Sequence, residues 1–266
     1  MTSQRAKAIV LWLFVLCSLL LLGLPTLIIL GASFTAGDIV AFPPDGFSLR
    51  WYSELWRLDD FKDAFVRSLY VSAICTLISL PTGTLAALAL IRGKLKFRNS
   101  IQVYLLLPFT IPLVVSGIGS MLVFGELRIL GQLWPIGLAL CVINLPFMIW
   151  AVSASAHQLD PDLENAAANC GAPPLQTFLT VTLPAVSPGV ITGALLMFIL
   201  AFNEFLVSLF LIDARIVTLP VSIYNSIRSV ITPDLAAVSV VYILVAALAV
   251  WLLDRLVGLD LFLKSK

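Results

Sequence analysis

Two groups of side chains in this sequence are of types that can do chemistry, and both lie within or beside strongly apolar surroundings. Asn203 and Glu204, in the run LAFNEFLVSLF, set an amide and a carboxylate among residues that are almost all apolar. A carboxylate inside a bilayer costs several kcal/mol unless water, a cation or hydrogen-bond donors meet it. Two readings follow for Glu204: a pathway residue that meets a cationic substrate or gates its passage, or a structural acid satisfied by a neighbouring helix. His157, Asp160, Asp162 and Glu164 have the side-chain types of a metal cluster but not its spacing. The four do not gather on one helical face, and helix capping accounts for the acids, so no metal site is expected. His157 reads instead as a polar residue at a membrane border. No Gly-x-x-x-x-Gly-Lys phosphate loop, nucleophile elbow or HExxH occurs. A membrane-embedded enzyme therefore has no constellation to rest on, and any ATP-driven work needs another chain to hydrolyse the nucleotide.

The acids of the second group belong to the stretch Leu159 to Pro184, LDPDLENAAANCGAPPLQTFLTVTLP. Asp160 suits an N-cap, Pro161 the first helical position, and Asp162 and Glu164 the positive end of the helix dipole. Gly171 ends the helix, and Pro173 and Pro174 make the stop firm, since neither donates the next backbone hydrogen bond. About ten residues then give a helix of roughly 15 Å. Leu159, Leu163, Ala166, Ala167 and Cys170 fall on one face, a small smooth stripe that can enter a groove in another protein. On periodicity alone a surface turn between two membrane spans is the other reading.

The rest of the chain is lipid-soluble. Its 266 residues are 60% hydrophobic and the mean hydropathy is +1.05, which indicates a polytopic membrane protein. A net charge of +1 gives no reason to expect a nucleic-acid partner. Cys17, Cys75, Cys141 and Cys170 are scattered without metal-ligand or redox spacing and read as small buried hydrophobes. The opening carries Arg5 and Lys7 ahead of apolar residues from Ala8 to Leu30. That run is too long for a secretory signal and lacks a clear cleavage site, so it is taken as a first span.

A hydrocarbon core of ~30 Å requires about twenty apolar residues per helix. Six such runs can be placed, at about 9–31, 65–91, 101–125, 133–152, 188–212 and 235–257, with a loop at 153–187 between the fourth and fifth. The expected fold is all-α: six transmembrane helices with a short helix in that loop. An even count puts both termini on one side, with the loops after spans two and four. That side holds Arg5, Lys7, Arg92, Lys94, Lys96, Arg98, Arg255, Lys264 and Lys266, nine of the sixteen basic residues. The other side holds or adjoins Arg50, Arg57, Lys62, Arg67, Arg128, Arg215 and Arg228, in company with most of the acids. The bias is clearest in RGKLKFR, Arg92 to Arg98, so both termini are expected to be cytoplasmic. The segment Ala32 to Phe61 is then external, and Trp51, Tyr52 and Trp56 of its amphipathic FSLRWYSELW suit the membrane interface.

Several spans carry helix breakers: Pro81 and Gly83 in the second, Pro108 and Pro112 in the third, Asn144 and Pro146 in the fourth. Breaks at membrane depth are tolerated where helices pack together or line a cavity, and they read either as gating bends or as ordinary kinks in a bundle. In SPGVITGALL, Ser187 can cap and Pro188 can start span five, and Gly189 and Gly193 form a small-xxx-small pair for close helix contact.

With the spans placed, ENAAANCG followed after nine residues by Val181-Thr182-Leu183-Pro184 resembles the EAA loop of permease subunits of ATP-binding-cassette importers. Ala166, Ala167, Gly171, Val181, Leu183 and Pro184 match that pattern. Counting back from Gly171 puts Asn165, not Glu164, at the position of the family's Glu, so which of the two takes that role stays open. FPPDGFSLRWYSEL after span one, NEF in span five and TLPVSIYNSIRSVITPDLAAVS before span six are similar to the spermidine/putrescine branch, in its second-permease form. The likeness covers nearly the whole chain; similar permeases carry thiamine, iron(III), aminoethylphosphonate or opines.

The resemblance implies a type I importer of the bacterial inner membrane. A second permease subunit would complete the pathway, a pair of ATP-binding subunits would dock on the cytoplasmic face and hold ATP and Mg, and a periplasmic or extracellular solute-binding protein would deliver the substrate. It further implies that the helix bearing Glu164, Asn165, Ala166, Ala167 and Gly171, followed by Leu183 and Pro184, couples to the ATPase; in such an importer the pathway reading of Asn203 and Glu204 would place them along the translocation route. A polyamine suits an acidic pathway residue, because each ammonium needs a counter-charge once it leaves water. An ion-coupled carrier or channel using Glu204 is the more distant alternative.

Overall fold

The computed structural model describes residues 2–40, 42–55, 59–93, 95–213, 216–229 and 233–257. Trp56, Arg57, Lys94, Arg215, Lys264 and Lys266, which entered the interface and charge readings, lie outside the described residues. Among the described residues, regular structure is helical apart from one antiparallel bridge between Asp213 and Ile216. The helices are α1 (Thr2–Ala32), α2 (Arg50–Leu55), α3 (Asp59–Arg92), α4 (Arg98–Thr110), α5 (Leu113–Glu126) and α6 (Leu133–Ala156). Then follow α7 (Pro161–Asn169), α8 (Pro174–Thr177), a π-turn (Phe178–Thr182), α9 (Leu183–Phe202), α10 (Leu206–Leu211), α11 (Leu219–Ser229) and α12 (Pro233–Val257). Among the described residues, four stretches are long and apolar enough to cross a membrane: Lys7–Ala32, Asp59–Arg92, Leu133–Ala156 and Pro174–Phe202. The pair α4 and α5 passes the same test jointly, and Pro233–Leu248 of α12 is a shorter apolar helix.

Two of the expected spans are interrupted: the third at one of its two named breakers, the fifth at a point where only Asn203 and Glu204 marked the run. The run 101–125 is two helices bent by 94°. Ile111, which precedes a proline, is extended at ψ 134, and Pro112 has no N–H with which to continue α4. Pro108 stays inside α4, as Pro81 does in α3 and Pro146 in α6. The fifth run begins earlier than 188 and is interrupted before 212. Helix is continuous from Pro174 to Phe202, stops at Asn203 and restarts at Leu206. Pro188 is inside α9 rather than at its start, and the Ser187 hydroxyl donates to the Pro184 carbonyl at 2.7 Å instead of capping a helix.

By internal contacts the chain forms two compact units. In the first, Met1–Lys62 with Ile223–Val245, the turn after α1 is built around aromatic rings. Phe34 stacks on Phe47 at 5.0 Å between centroids. Trp51 is buried and its indole donates to the Thr35 carbonyl at 2.9 Å; the Tyr52 and Ser33 hydroxyls lie 2.7 Å apart. Trp51 is thus part of the packing and not, as its type and position suggested, a ring set in the lipid interface. Its N–H finds a carbonyl inside the unit, which removes the reason for it to stay in the wet headgroup layer.

In the second unit, Asp63–Ser222 with Ala246–Lys266, α6 lies along α9 as the most extensive helix pair. The expected small-residue contact is what allows it. A Cβ on Gly189 would meet Ser155 and the Ala151 carbonyl, and one on Gly193 would meet the Met148 sulfur and Ala151. Between helices within a membrane, burial from water contributes little, and close van der Waals packing holds such a pair. Ile136, Leu140, Met148 and Val152 of α6 and Val186 and Met197 of α9 are almost wholly enclosed. Cys75 and Cys141 are buried as expected, but Cys17 and Cys170 are exposed. Small size lets a thiol be buried without requiring it.

Candidate functional site

The loop between α6 and α9 folds as its local signals dictate. A carboxylate oxygen of Asp160 accepts the Asp162 N–H at 3.0 Å, and Pro161 occupies the first turn of α7. At the other end Gly171 adopts φ +86, donating to the Ala168 carbonyl at 2.9 Å while Ala172 donates to Ala167 at 3.1 Å. These two bonds are the Schellman closure, and they need a residue that enters the left-handed region cheaply. Pro173 and Pro174 then open α8 directly. No side chain of α7 is buried. Leu163 is 52% exposed, Ala166 and Cys170 are exposed, and Ala167 is half-buried, while Leu159 just before the helix is enclosed. The small-residue stripe is therefore available for a partner, apart from its first residue.

The two acid positions that the EAA pattern left open are used differently. Asn165 is exposed and its amide donates to the Asp162 carboxylate at 3.3 Å. Glu164 turns inward: one carboxylate oxygen pairs with the Arg92 guanidinium at the end of α3, and the other accepts the Thr182 hydroxyl at the end of the π-turn. Arg92 and Glu164 help line a cleft of about 590 Å³ between these elements, with Leu88, Ala168, Phe178 and Thr182. Leu183, half-buried, packs on the core cluster, and Pro184 is exposed in the first turn of α9. Thr182 and Arg92 were not singled out as Glu164's partners in the sequence. The unbalanced charge of the RGKLKFR loop was the signal for Arg92, since a single-sign cluster next to an acidic helix favours a pairing.

Asn203 and Glu204 mark the break in the fifth apolar run. Asn203 is exposed and its amide donates to the Ile199 carbonyl at 2.9 Å, closing α9. Glu204 is half-buried; its carboxylate accepts the Val207 N–H at 2.7 Å and its carbonyl accepts the Ser208 hydroxyl at 3.1 Å. The acid thus serves the first turn of α10. α10 in turn packs on α5, where Gly117 leaves room for Phe210 and the Val207 backbone. Irregular backbone at membrane depth persists only where it is buried in protein or lines a water-filled space, and here the two broken runs support each other. His157 is exposed at the end of α6, away from any metal-binding arrangement: among the described residues no three His, Cys, Asp or Glu side chains are grouped to hold an ion.

Residues 79–259, from within α3 to just past α12, match the family described as "binding-protein-dependent transport system inner membrane component". The chain belongs to that family. The putrescine transport system permease protein PotI of Escherichia coli strain K12 is 30% identical to it over 81% of this chain and 79% of that protein. The molybdenum transport system permease protein ModB of Mycobacterium tuberculosis is likewise 30% identical, over 84% and 89%. The fold is that of a membrane subunit in a solved bacterial alginate ABC transporter bound to a periplasmic protein, with a TM-score of 0.75 over 95% and 94% of the two chains at 16% identity. This inner-membrane component is therefore an all-helical, multi-pass permease subunit of an ABC importer.

Proposed function

We propose that this permease subunit forms half of the translocation pathway for a small cationic solute of the polyamine class and is driven through α7 by a separate ATPase. The observation that carries the reading is α7 itself, a short helix capped at both ends, with no buried side chain of its own and an uncovered stripe at Leu163, Ala166 and Cys170. Such a helix, fixed at its ends to α6 and α9, can turn closure of an ATPase pair into rigid-body rocking of the bundle. Asn165, Ala166, Ala167 and Gly171 would form the docking surface, with Leu183 and Pro184 passing its movement into α9. A second permease, an ATP-binding dimer holding ATP and Mg, and an external solute-binding protein complete the importer. The chain would cross the membrane six times with both termini cytoplasmic, a reading supported by the basic loop that begins at Arg92, which pairs with Glu164 of α7.

Asn203 and Glu204 would line the pathway at the junction of α9 and α10. The capping bond occupies one carboxylate oxygen of Glu204, and the half-exposed remainder suits an ammonium that has shed its water. The similarity to a putrescine permease supports this substrate class; the equal identity to a molybdenum permease supports an oxyanion as the second reading. Co-purification with the neighbouring ATPase and uptake of radiolabelled putrescine, with molybdate as competitor, test both. ATP-driven putrescine uptake insensitive to molybdate supports the first reading, molybdate uptake the second, and ATP-independent transport by the chain alone overturns the importer assignment.

A further inference from the structure

Resting on the coupling role proposed for α7, we infer that Glu164 is the positioning residue that latches this helix simultaneously to α3 and α9, and is not itself a contact to the ATPase. Since α7 buries none of its side chains, packing contributes little to its orientation. Besides its two ends and its contacts with α8 and the π-turn, this carboxylate ties it to α3 and to Thr182. One oxygen pairs with Arg92, which closes the long apolar helix α3. The other accepts from Thr182, itself buried and placed immediately before α9. The side chains of Arg92 and Glu164 are only 23% and 26% exposed, so the pair is screened less than a surface bridge, and both oxygens make charge-assisted bonds.

The geometry divides the labour of two adjacent residues. Asn165 projects into solvent and is tied only to Asp162 of its own helix, so it is the one free to meet a partner. Glu164 faces the bundle. A push on α7 therefore reaches α9 by two routes, along the chain through α8 and the π-turn and across space through Thr182, and it reaches α3 through Arg92. The π-turn Phe178–Thr182 at this junction fits a functional element, since such turns inside helices are frequent at functional sites.

The test uses the assembled complex in lipid nanodiscs, with E164Q, R92Q and the exchanged pair R92E/E164R. Hydrogen exchange of residues 161–182 reads the latch, co-purified ATPase reads docking, and binding-protein-stimulated hydrolysis of Mg-ATP reads transmission. Each single variant is expected to raise exchange in this segment and lower stimulated hydrolysis about tenfold with ATPase stoichiometry unchanged, and the exchanged pair to restore both to within about threefold. Two results overturn the latch: loss of co-purified ATPase in E164Q that the exchange does not restore, which would put Glu164 at the partner, or full stimulation in both single variants. Gly171→Trp separates that failure from failure of the coupling reading. If it uncouples while E164Q does not, only the latch falls; if neither affects stimulation, α7 is not the coupling element.

Discussion

The Glu204 carboxylate accepts the Val207 N–H at 2.7 Å, so the acid that interrupts an apolar run is also the group that starts α10. Capping and charge can be separated by substitution. Glu204→Gln keeps the acceptor oxygen and removes the charge, whereas Glu204→Ala removes both. Gln is expected to leave the thermal midpoint in detergent close to that of the parent, and Ala to cost about 1 kcal/mol, the usual value of a lost helix-start acceptor. Putrescine uptake should fall at least tenfold in the Gln variant at equal surface expression. Full uptake there would leave Glu204 a purely structural acid.

Gly193 sits where an added Cβ would meet Met148 and Ala151 across the α6–α9 contact. Gly193→Leu forces these helices apart and is expected to cost about 1–3 kcal/mol, the range for overpacking, read as a lowered unfolding midpoint. Gly119, where a Cβ meets nothing within 4 Å, serves as the control: Gly119→Ala should leave the midpoint unchanged or slightly raised.

At Gly171 the constraint is conformational, since open space surrounds the position but φ is +86. Gly171→Val should cost about 1–2 kcal/mol for the left-handed backbone of an L-residue. Because α7 has no buried residues, that penalty would fray its C-terminus rather than unfold the subunit. ATP-driven uptake is expected to fall while the midpoint stays near that of the parent; equal loss of both would assign Gly171 to global stability.

Cys170 is exposed at the end of α7, whereas Cys75 and Cys141 are buried. With Cys17 replaced by serine, a membrane-impermeant maleimide added to inside-out vesicles should label Cys170 alone. Assembly with the ATPase should slow that labelling at least tenfold. Labelling from the outer face instead would invert the topology.

How much could be read beforehand varies from residue to residue. The ends of α7 were legible because Asp160, Pro161 and Gly171 act within one turn of their own positions. The Gly189 and Gly193 contact was legible as a motif, although its partners Met148 and Ala151 were not. The prolines were legible only as candidates. Pro112 breaks a helix while Pro108, Pro146 and Pro188 do not, because a proline's effect depends on whether neighbouring groups satisfy the carbonyl it frees. At Asn203 and Glu204 the sequence marked a polar interruption, but not that the helix stops there and restarts at Leu206.

Composition, run length and local capping chemistry determined by themselves that this is a helical membrane protein with a short capped helix between its fourth and fifth apolar runs, and the EAA-like stretch added the resemblance to importer permeases. These signals are short-range or additive, so they survive without coordinates. Tertiary structure alone decided that Glu164 turns toward Arg92 and Thr182 while Asn165 stays in solvent, and that the bent run of α4 and α5 meets the broken run at α10. Those outcomes depend on which distant backbone segments approach one another. Side-chain spacing along a chain carries no record of that until the helices pack.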